Sequence, residues 1–182
     1  MKGIVFSEFV DMVEEKFSVQ VADAMILDTA PASGGAYTAV GTYDHRELLA
    51  MVEHLSLATG IATSELVRTL GSHLAQRFDV LYPQFFANID GLFEFLETIE
   101  EHVHVEVRKL YPEAELPTFE TRRDGQASMS MTYRSSRPFA DLAEGLIEGC
   151  ATRFGEKVEI ARTDHDTNGR YVTTFELTRC PR

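Results

Sequence analysis

The hydrophobic pattern of the chain changes its period near Pro112. Before this point, apolar residues recur at the spacing of an amphipathic helix, and acidic residues lie on the opposite side. In the first such segment the apolar face carries Phe6, Phe9, Val10, Val13 and Phe17. After it, residues 126–134 (QASMSMTYR) alternate apolar and polar side chains, which is typical of a strand. Helices followed by strands predict an α+β fold with an antiparallel sheet.

Local signals place further helices in the first half. A helix is predicted over residues 19–27, and the Pro- and Gly-containing segment 31–41 is predicted to be a loop. Asp44 is expected to cap the next helix, with Glu47 completing a capping box and Gly60 ending the helix. Another helix should begin at Thr63 or Ser64 and run to residue 78, and one long helix should span residues 86–110.

In the second half, residues 139–150 return to helical spacing. Residues 157–163 and 171–178 are predicted to pair as a hairpin, with its turn at Asp166-Thr-Asn-Gly169. The helix, the strand at 126–134 and this hairpin complete the predicted sheet-containing part of the fold.

Charge and composition exclude several classes of protein. The net charge of -12 disfavours binding to nucleic acid or to anionic membranes, because both depend on Lys and Arg. No secretory signal or membrane-spanning run is evident. Cys150 and Cys180 are too few for a disulfide scaffold, so we expect a cytoplasmic protein. We see no phosphate-binding loop, activated nucleophile or paired carboxylates, and we do not expect an enzyme.

Two histidines, His102 and His104, lie in the segment EEHVHVEVRKLYP. On a regular helix they point in nearly opposite directions and cannot serve one site. His102 shares its side with charged residues, whereas His104 lies beside an apolar stripe. A neutral imidazole on an apolar face can ligate a metal or heme iron, and it can equally be a core histidine with one hydrogen bond.

Tyr133, Ser135 and Arg137 follow at intervals of two, which would place them on one face of a strand. Two hydroxyl groups and a guanidinium could together bind carboxylates such as porphyrin propionates. The same pattern also fits the polar surface of an edge strand.

In combination, these two motifs resemble the H-NOX (heme-nitric oxide/oxygen binding) family, which includes the heme domain of soluble guanylate cyclase. Further similarities are the start MKGIVF, YPQFFAN at residues 82–88 and GLIEG at residues 145–149. The resemblance implies a single domain, with a helical N-terminal subdomain over about residues 1–62. The proximal helix and the sheet would follow over about residues 63–182, with heme b between the two parts.

The resemblance also assigns roles to residues. It implies that His104 is the proximal ligand of the heme iron, and that Tyr133, Ser135 and Arg137 bind the propionates. Pro117 would press on the porphyrin and distort it, although it could also be a linker proline. The distal pocket would be lined by apolar side chains, namely Val5, Phe9, Leu74, Phe78, Leu142 and Leu146.

The residue at position 142 bears on which gas is bound. Oxygen-binding relatives carry a tyrosine five residues after the arginine of the propionate motif, and here that residue is Leu142. Bound O2 gains from a hydrogen-bond donor, and burying it without one is unfavourable. We therefore expect a sensor of nitric oxide (NO) that excludes O2, and we expect NO to weaken the iron–His104 bond and release the His104 helix.

Stand-alone relatives regulate a separate histidine kinase or cyclic-di-GMP enzyme, so such a partner is expected. The alternatives are a heme-free interaction module of the same fold and an O2-binding member. Cys150 continues an apolar stripe and should be buried, and Cys180 should be exposed. With His165, these cysteines fall one ligand short of a zinc site, so we predict none.

Overall fold

The computed structural model describes residues 1–167 and 169–181, except for the side chain of Asp166. Its helices are α1 (Gly3–Lys16), α2 (Val19–Thr29), α3 (His45–Thr59), α4 (Thr63–Leu81), α5 (Leu92–Thr98), α6 (His104–Leu110) and α7 (Ala140–Arg153). Its strands are β1 (Thr118–Asp124), β2 (Ser128–Ser135), β3 (Val158–Thr167) and β4 (Arg170–Arg179). The predicted α+β fold class is confirmed. None of the helices in the described ranges is long and apolar enough to cross a membrane.

The strands pair antiparallel throughout, in the order β1-β2-β4-β3. The predicted hairpin of the last two strands is confirmed, and both strands are longer than expected. Its predicted turn includes Asn168, which lies outside the described residues. Strand β1, by contrast, was not predicted. Its side chains are half-buried or exposed in alternation, so the hydrophobic pattern that identifies a strand is weak there.

Two clusters of buried apolar side chains form the core. The first joins α1, α2, α3 and most of α4, and it extends to Phe139 and Leu142 beside the start of α7. The second joins α5, α7 and the inner face of the sheet, where Met131 and Phe175 are completely buried. Phe78 and Leu146 pack against both clusters. Helix α4 thus spans the junction between the helical part and the sheet-containing part, and the subdomain boundary near residue 62 stays a prediction.

Helices α4 and α7 cross at very short distance because glycines lie at the crossing. A Cβ atom on Gly71 would lie 2.7 Å from the backbone nitrogen of Leu146, and one on Gly145 would lie 2.8 Å from the carbonyl carbon of Arg68. Both distances are well below normal van der Waals contact. The two helices can therefore approach this closely only with glycine at these positions.

A buried ion cluster joins α1 to α4. The carboxylate of Glu8, on α1, accepts hydrogen bonds from Arg77 Nε at 2.8 Å and pairs with His73 Nε2 at 3.0 Å. Glu8 is almost completely buried, and buried carboxylates are stable only when they are paired in this way.

The two ends of α3 agree with the sequence signals except in one detail. Asp44 caps α3 by accepting from the Arg46 backbone N–H, and Gly60 ends this helix with a φ of 75°. The prediction that Glu47 completes a capping box is wrong, however. Glu47 instead accepts hydrogen bonds from Ser33 Oγ and Tyr37 Oη, and these bonds hold the 31–41 segment against α3.

The single long helix predicted over residues 86–110 is wrong. Residues 83–85 form a short 3-10 turn, α5 begins only at Leu92, and a π-helical turn over Ile99–Val103 separates α5 from α6. In this turn the backbone N–H of His104 donates to the carbonyl of Ile99, five residues earlier. Turns of this kind are rare and occur often at functional sites.

Candidate functional site

A cavity of about 380 Å³ lies at the junction between the two core clusters. This volume is within the range of about 300–1,000 Å³ that is usual for small-molecule sites. Its walls come from α1, the segment between α2 and α3, the end of α4, α6, the segment before β1, the end of β2 and the first half of α7. The predicted residues that line it are Val5, Leu74, Phe78, His104, Pro117, Tyr133, Ser135, Arg137, Leu142 and Leu146. The fold therefore brings together residues that are far apart in the sequence.

Phe9 is the exception among the predicted site residues. It is completely buried in the helical core cluster and is not one of the residues that line the cavity. Val5 lies one helical turn earlier on α1 and reaches the cavity. The two residues share one face of α1, so spacing alone could not separate a core residue from a cavity residue.

His104 is the first residue of α6, and only 7% of its surface is exposed. Its Nδ1 lies 2.8 Å from Glu100 Oε1, and within the described residues its Nε2 makes no hydrogen bond. Burial lowers the pKa of His104 below its usual value, and the nearby Glu100 carboxylate opposes this shift. The imidazole is therefore neutral near pH 7, which is the form that can ligate a metal. His102, on the other side of the helix, is exposed.

The Tyr133, Ser135 and Arg137 side chains meet at one end of the cavity, but they do not share one strand face. Tyr133 and Ser135 lie on β2, whereas Arg137 lies in the bend that follows the strand. Local hydrogen bonds fix this bend: Tyr133 Oη donates to the Arg137 carbonyl at 3.0 Å, and the Arg137 backbone N–H donates to Ser135 Oγ at 3.0 Å. Burial raises the pKa of Tyr133, so its hydroxyl group stays protonated and can donate.

The guanidinium of Arg137 is paired with the carboxylate of Glu115, in the segment before Pro117. Glu115 is largely exposed, so this pair lies at the mouth of the cavity. An anionic ligand group that enters here could replace the Glu115 carboxylate as the partner of Arg137, since both offer the same planar acceptor geometry.

The helices α1, α4 and α7 contribute only apolar side chains to the cavity: Ile4, Val5, Leu74, Phe78, Leu142, Ala143 and Leu146. Two tyrosines that were not predicted also line it, Tyr82 directly after α4 and Tyr111 directly after α6. The Lys2 ammonium group lies 4.0 Å from the centre of the Tyr111 ring and 3.3 Å from Glu113 Oε1. It thereby links the N-terminus to the segment that follows α6.

Glu100 is the functional candidate that sequence reasoning missed. It lies four residues before His104, a spacing that places two side chains on the same side of a helix and was available as a signal. The intervening π-helical turn and the contact with β1 could not be anticipated, because neither element was predicted.

Within the described ranges, no three His, Cys, Asp or Glu side chains are grouped so that they could hold a metal ion. Cys150 is buried, and burial raises the pKa of its thiol to about 12. Cys180 is partly exposed rather than fully exposed.

Comparison with known proteins gives the following similarities. Residues 2–162 match the sequence model of the family described as Haem-NO-binding. The Fe(II) unliganded H-NOX protein from K. algicida is 35% identical with a TM-score of 0.92, and the match covers 100% of this chain and 98% of that one. The H-NOX from Shewanella woodyi, solved bound to IWP-051 in the Fe(II)CO ligation state, is 38% identical with a TM-score of 0.84, covering 100% of this chain and 96% of that one.

A mutant of T. Tengcongensis H-NOX is 22% identical with a TM-score of 0.89, covering 98% of this chain and 97% of that one. At that identity the likeness shows the fold alone. The comparison with curated proteins gave no significant match.

Proposed function

The chain belongs to the Haem-NO-binding (H-NOX) family of heme-binding gas sensors, and on this premise we propose that it binds heme b in the cavity, with His104 as the protein ligand of the iron. We further propose that it responds to NO, excludes O2 and regulates a separate signalling protein. The observation that carries the proposal is the position of His104 in the wall of a largely apolar cavity. Its neutral, buried imidazole has Nδ1 engaged by Glu100, and Nε2 has no hydrogen-bond partner in the part of the chain that the structure describes.

The chemistry of the donors fits a heme. A porphyrin has an apolar ring that matches the aliphatic and aromatic walls of the cavity, and two propionates that match the polar end near Arg137. When bound, the heme supplies a ferrous iron that coordinates a diatomic gas. Tyr133, Ser135 and Arg137 would hold the propionates, and Pro117 would contact the ring from the segment before β1.

The apolar side chains of α1, α4 and α7 support the selectivity for NO. A bound O2 becomes negatively polarised and needs a donor, whereas none of these side chains can donate a hydrogen bond. Of the hydroxyl groups that line the cavity, that of Tyr82 is nearest in sequence to these apolar residues, since Tyr82 follows α4 directly. Variants at Leu142 and Tyr82 therefore test the source of the selectivity separately.

The experiment is an absorption titration of the purified ferrous protein with NO and with O2. We expect the purified protein to show the Soret band of a bound heme. This band should shift when NO is added, and it should show no O2 complex when the ferrous protein is exposed to air. Leu142→Tyr should create O2 binding, and Leu142→Phe, of similar size without a hydroxyl group, should not. If the wild type binds O2 and Tyr82→Phe does not, the proposed exclusion of O2 is refuted and Tyr82 is the hydrogen-bond donor to O2. A colourless protein would favour the heme-free module.

Two contacts could transmit a change at His104 to the rest of the molecule. Glu100 connects His104 to β1, and Lys2 connects the N-terminus to the segment after α6. We propose that the shift of these elements regulates a separate histidine kinase or cyclic-di-GMP enzyme, as in stand-alone relatives. Autophosphorylation of a candidate kinase, measured with the ferrous and with the NO-treated protein, tests this part of the proposal, and equal rates would contradict it.

A further inference from the structure

Glu100 occupies the π-helical turn that leads into His104, and its two carboxylate oxygens have three partners. Oε1 accepts a hydrogen bond from His104 Nδ1 at 2.8 Å and another from the Phe119 backbone N–H at 2.9 Å. Oε2 accepts from Arg108 Nη2 at 3.4 Å. One carboxylate therefore links the imidazole to strand β1 and to the next turn of α6.

The bond to Glu100 fixes the tautomer of His104. Both oxygens of Glu100 also accept from N–H groups, those of the Phe119 backbone and the Arg108 guanidinium. This side chain therefore acts as an acceptor, so Nδ1 carries the proton and the lone pair lies on Nε2. The ring of His104 also packs on the Phe119 ring, with 5.8 Å between the ring centres. Phe119 thus holds the imidazole by ring packing, while its backbone N–H holds the carboxylate that orients the same imidazole.

We propose that Glu100 is a positioning residue that sets the donor strength of His104 towards the heme iron and ties this ligand to β1. The inference rests on the proposed heme site and deepens it. A carboxylate that accepts from Nδ1–H draws the proton away from the ring and makes Nε2 a stronger donor, as is common for metal-bound histidines. A stronger donor stabilises the ferric over the ferrous iron, so the same carboxylate lowers the reduction potential of the site.

Glu100 lies within the π-helical turn. The His104 backbone N–H bonds to the carbonyl of Ile99 and not to that of Glu100, as it would in a regular α-helix. From this turn the Glu100 side chain reaches both Nδ1 of His104 and the edge of β1. A rare backbone feature at the residue that orients the ligand is consistent with a functional role.

The test is the variant Glu100→Gln, which keeps the size and one accepting oxygen but removes the charge. The matched control is Glu106→Gln on α6, whose carboxylate is half-exposed and pairs only with Lys109 among the described residues. We expect Glu100→Gln to lower the iron–histidine stretching frequency in resonance Raman spectra and to raise the reduction potential. Transfer of heme to a scavenging apoglobin should become faster, because losing such a partner usually weakens affinity by about 10–100-fold.

A purely structural role would lower stability without changing the stretching frequency or the potential. If both quantities equal those of the wild type and of Glu106→Gln, while the iron–histidine band is present, the role of Glu100 is refuted and the heme site stands. If the wild type has no iron–histidine band, the proposed heme site itself is refuted together with the inference.

Discussion

The close crossing of α4 and α7 leads to a sharp prediction for Gly145→Ala. In a free helix this change is favourable by about 1 kcal/mol, because alanine has a higher helix propensity than glycine. In the folded protein the new methyl group would overlap the Arg68 carbonyl oxygen and lie 2.8 Å from its carbonyl carbon. That separation is roughly 0.7 Å shorter than a relaxed carbon–carbon contact.

The free-energy cost of this steric overlap should exceed the gain in helix propensity. The atoms that the methyl group meets belong to the backbone of α4, so they can move away only if the two helices separate. Overpacking by one methyl group costs about 1–3 kcal/mol, and the upper end applies where backbone must move. After subtraction of the propensity gain, we expect a loss of about 2 kcal/mol, which lowers the Tm of a chain of this size by about 4–8 °C.

Thermal unfolding followed by circular dichroism measures this effect, with heme content matched between samples because a bound ligand raises the Tm. Thr152→Ala, at an exposed position of α7, is the control and should leave the Tm unchanged or slightly raised. A Gly145→Ala protein with the Tm of the wild type or higher would refute the reasoning. The variant should also change gas binding, since Leu142 and Leu146 on both sides of Gly145 line the cavity.

Two further predictions concern buried groups. Glu8→Ala removes the carboxylate that joins α1 to the His73 and Arg77 side chains of α4. A loss of about 1–3 kcal/mol in the free energy of unfolding is expected from urea unfolding, and an unchanged midpoint would contradict the structural role of this cluster. The pKa of the buried Cys150 thiol is raised to about 12, so its thiolate is scarce at pH 8. A thiol reagent should therefore label the partly exposed Cys180 rapidly and Cys150 only after denaturation. Rapid labelling of both cysteines in the native protein would show that α7 is more open than described.

The helical half of the fold could be predicted because its signals are local. Asp44 and Gly60 mark the two ends of α3 through capping and a positive φ, and neither depends on distant residues. The strands β2 and β4 could also be recognised, since one face of each is buried and their apolar residues alternate accordingly. Strand β1, at the edge of the sheet, lacks such a face and gave no comparable signal.

The site could be predicted in its residue types and less well in its geometry. The face of the helix distinguished His104 from His102, but the π-helical turn before His104 was invisible because it has no sequence periodicity of its own. The spacing of four residues between Glu100 and His104 was a usable signal for the partner of Nδ1, but the contact of Glu100 with β1 could not be anticipated because β1 was not predicted. The resemblance placed Phe9 in the cavity with Val5, whereas Phe9 lies in the helical core cluster, because two residues on one face of a helix need not border the same space.

The iron–histidine band of the ferrous protein tests the central claim most directly. We expect resonance Raman spectra of the wild type to show this band, His104→Gly to lose it, and added imidazole to restore an iron–imidazole band in that variant. His102→Gly, which changes an exposed residue on the other side of the helix, should retain the band of the wild type. A His104→Gly protein that binds heme and keeps an unchanged iron–histidine band without imidazole would contradict the assignment of His104 as the ligand.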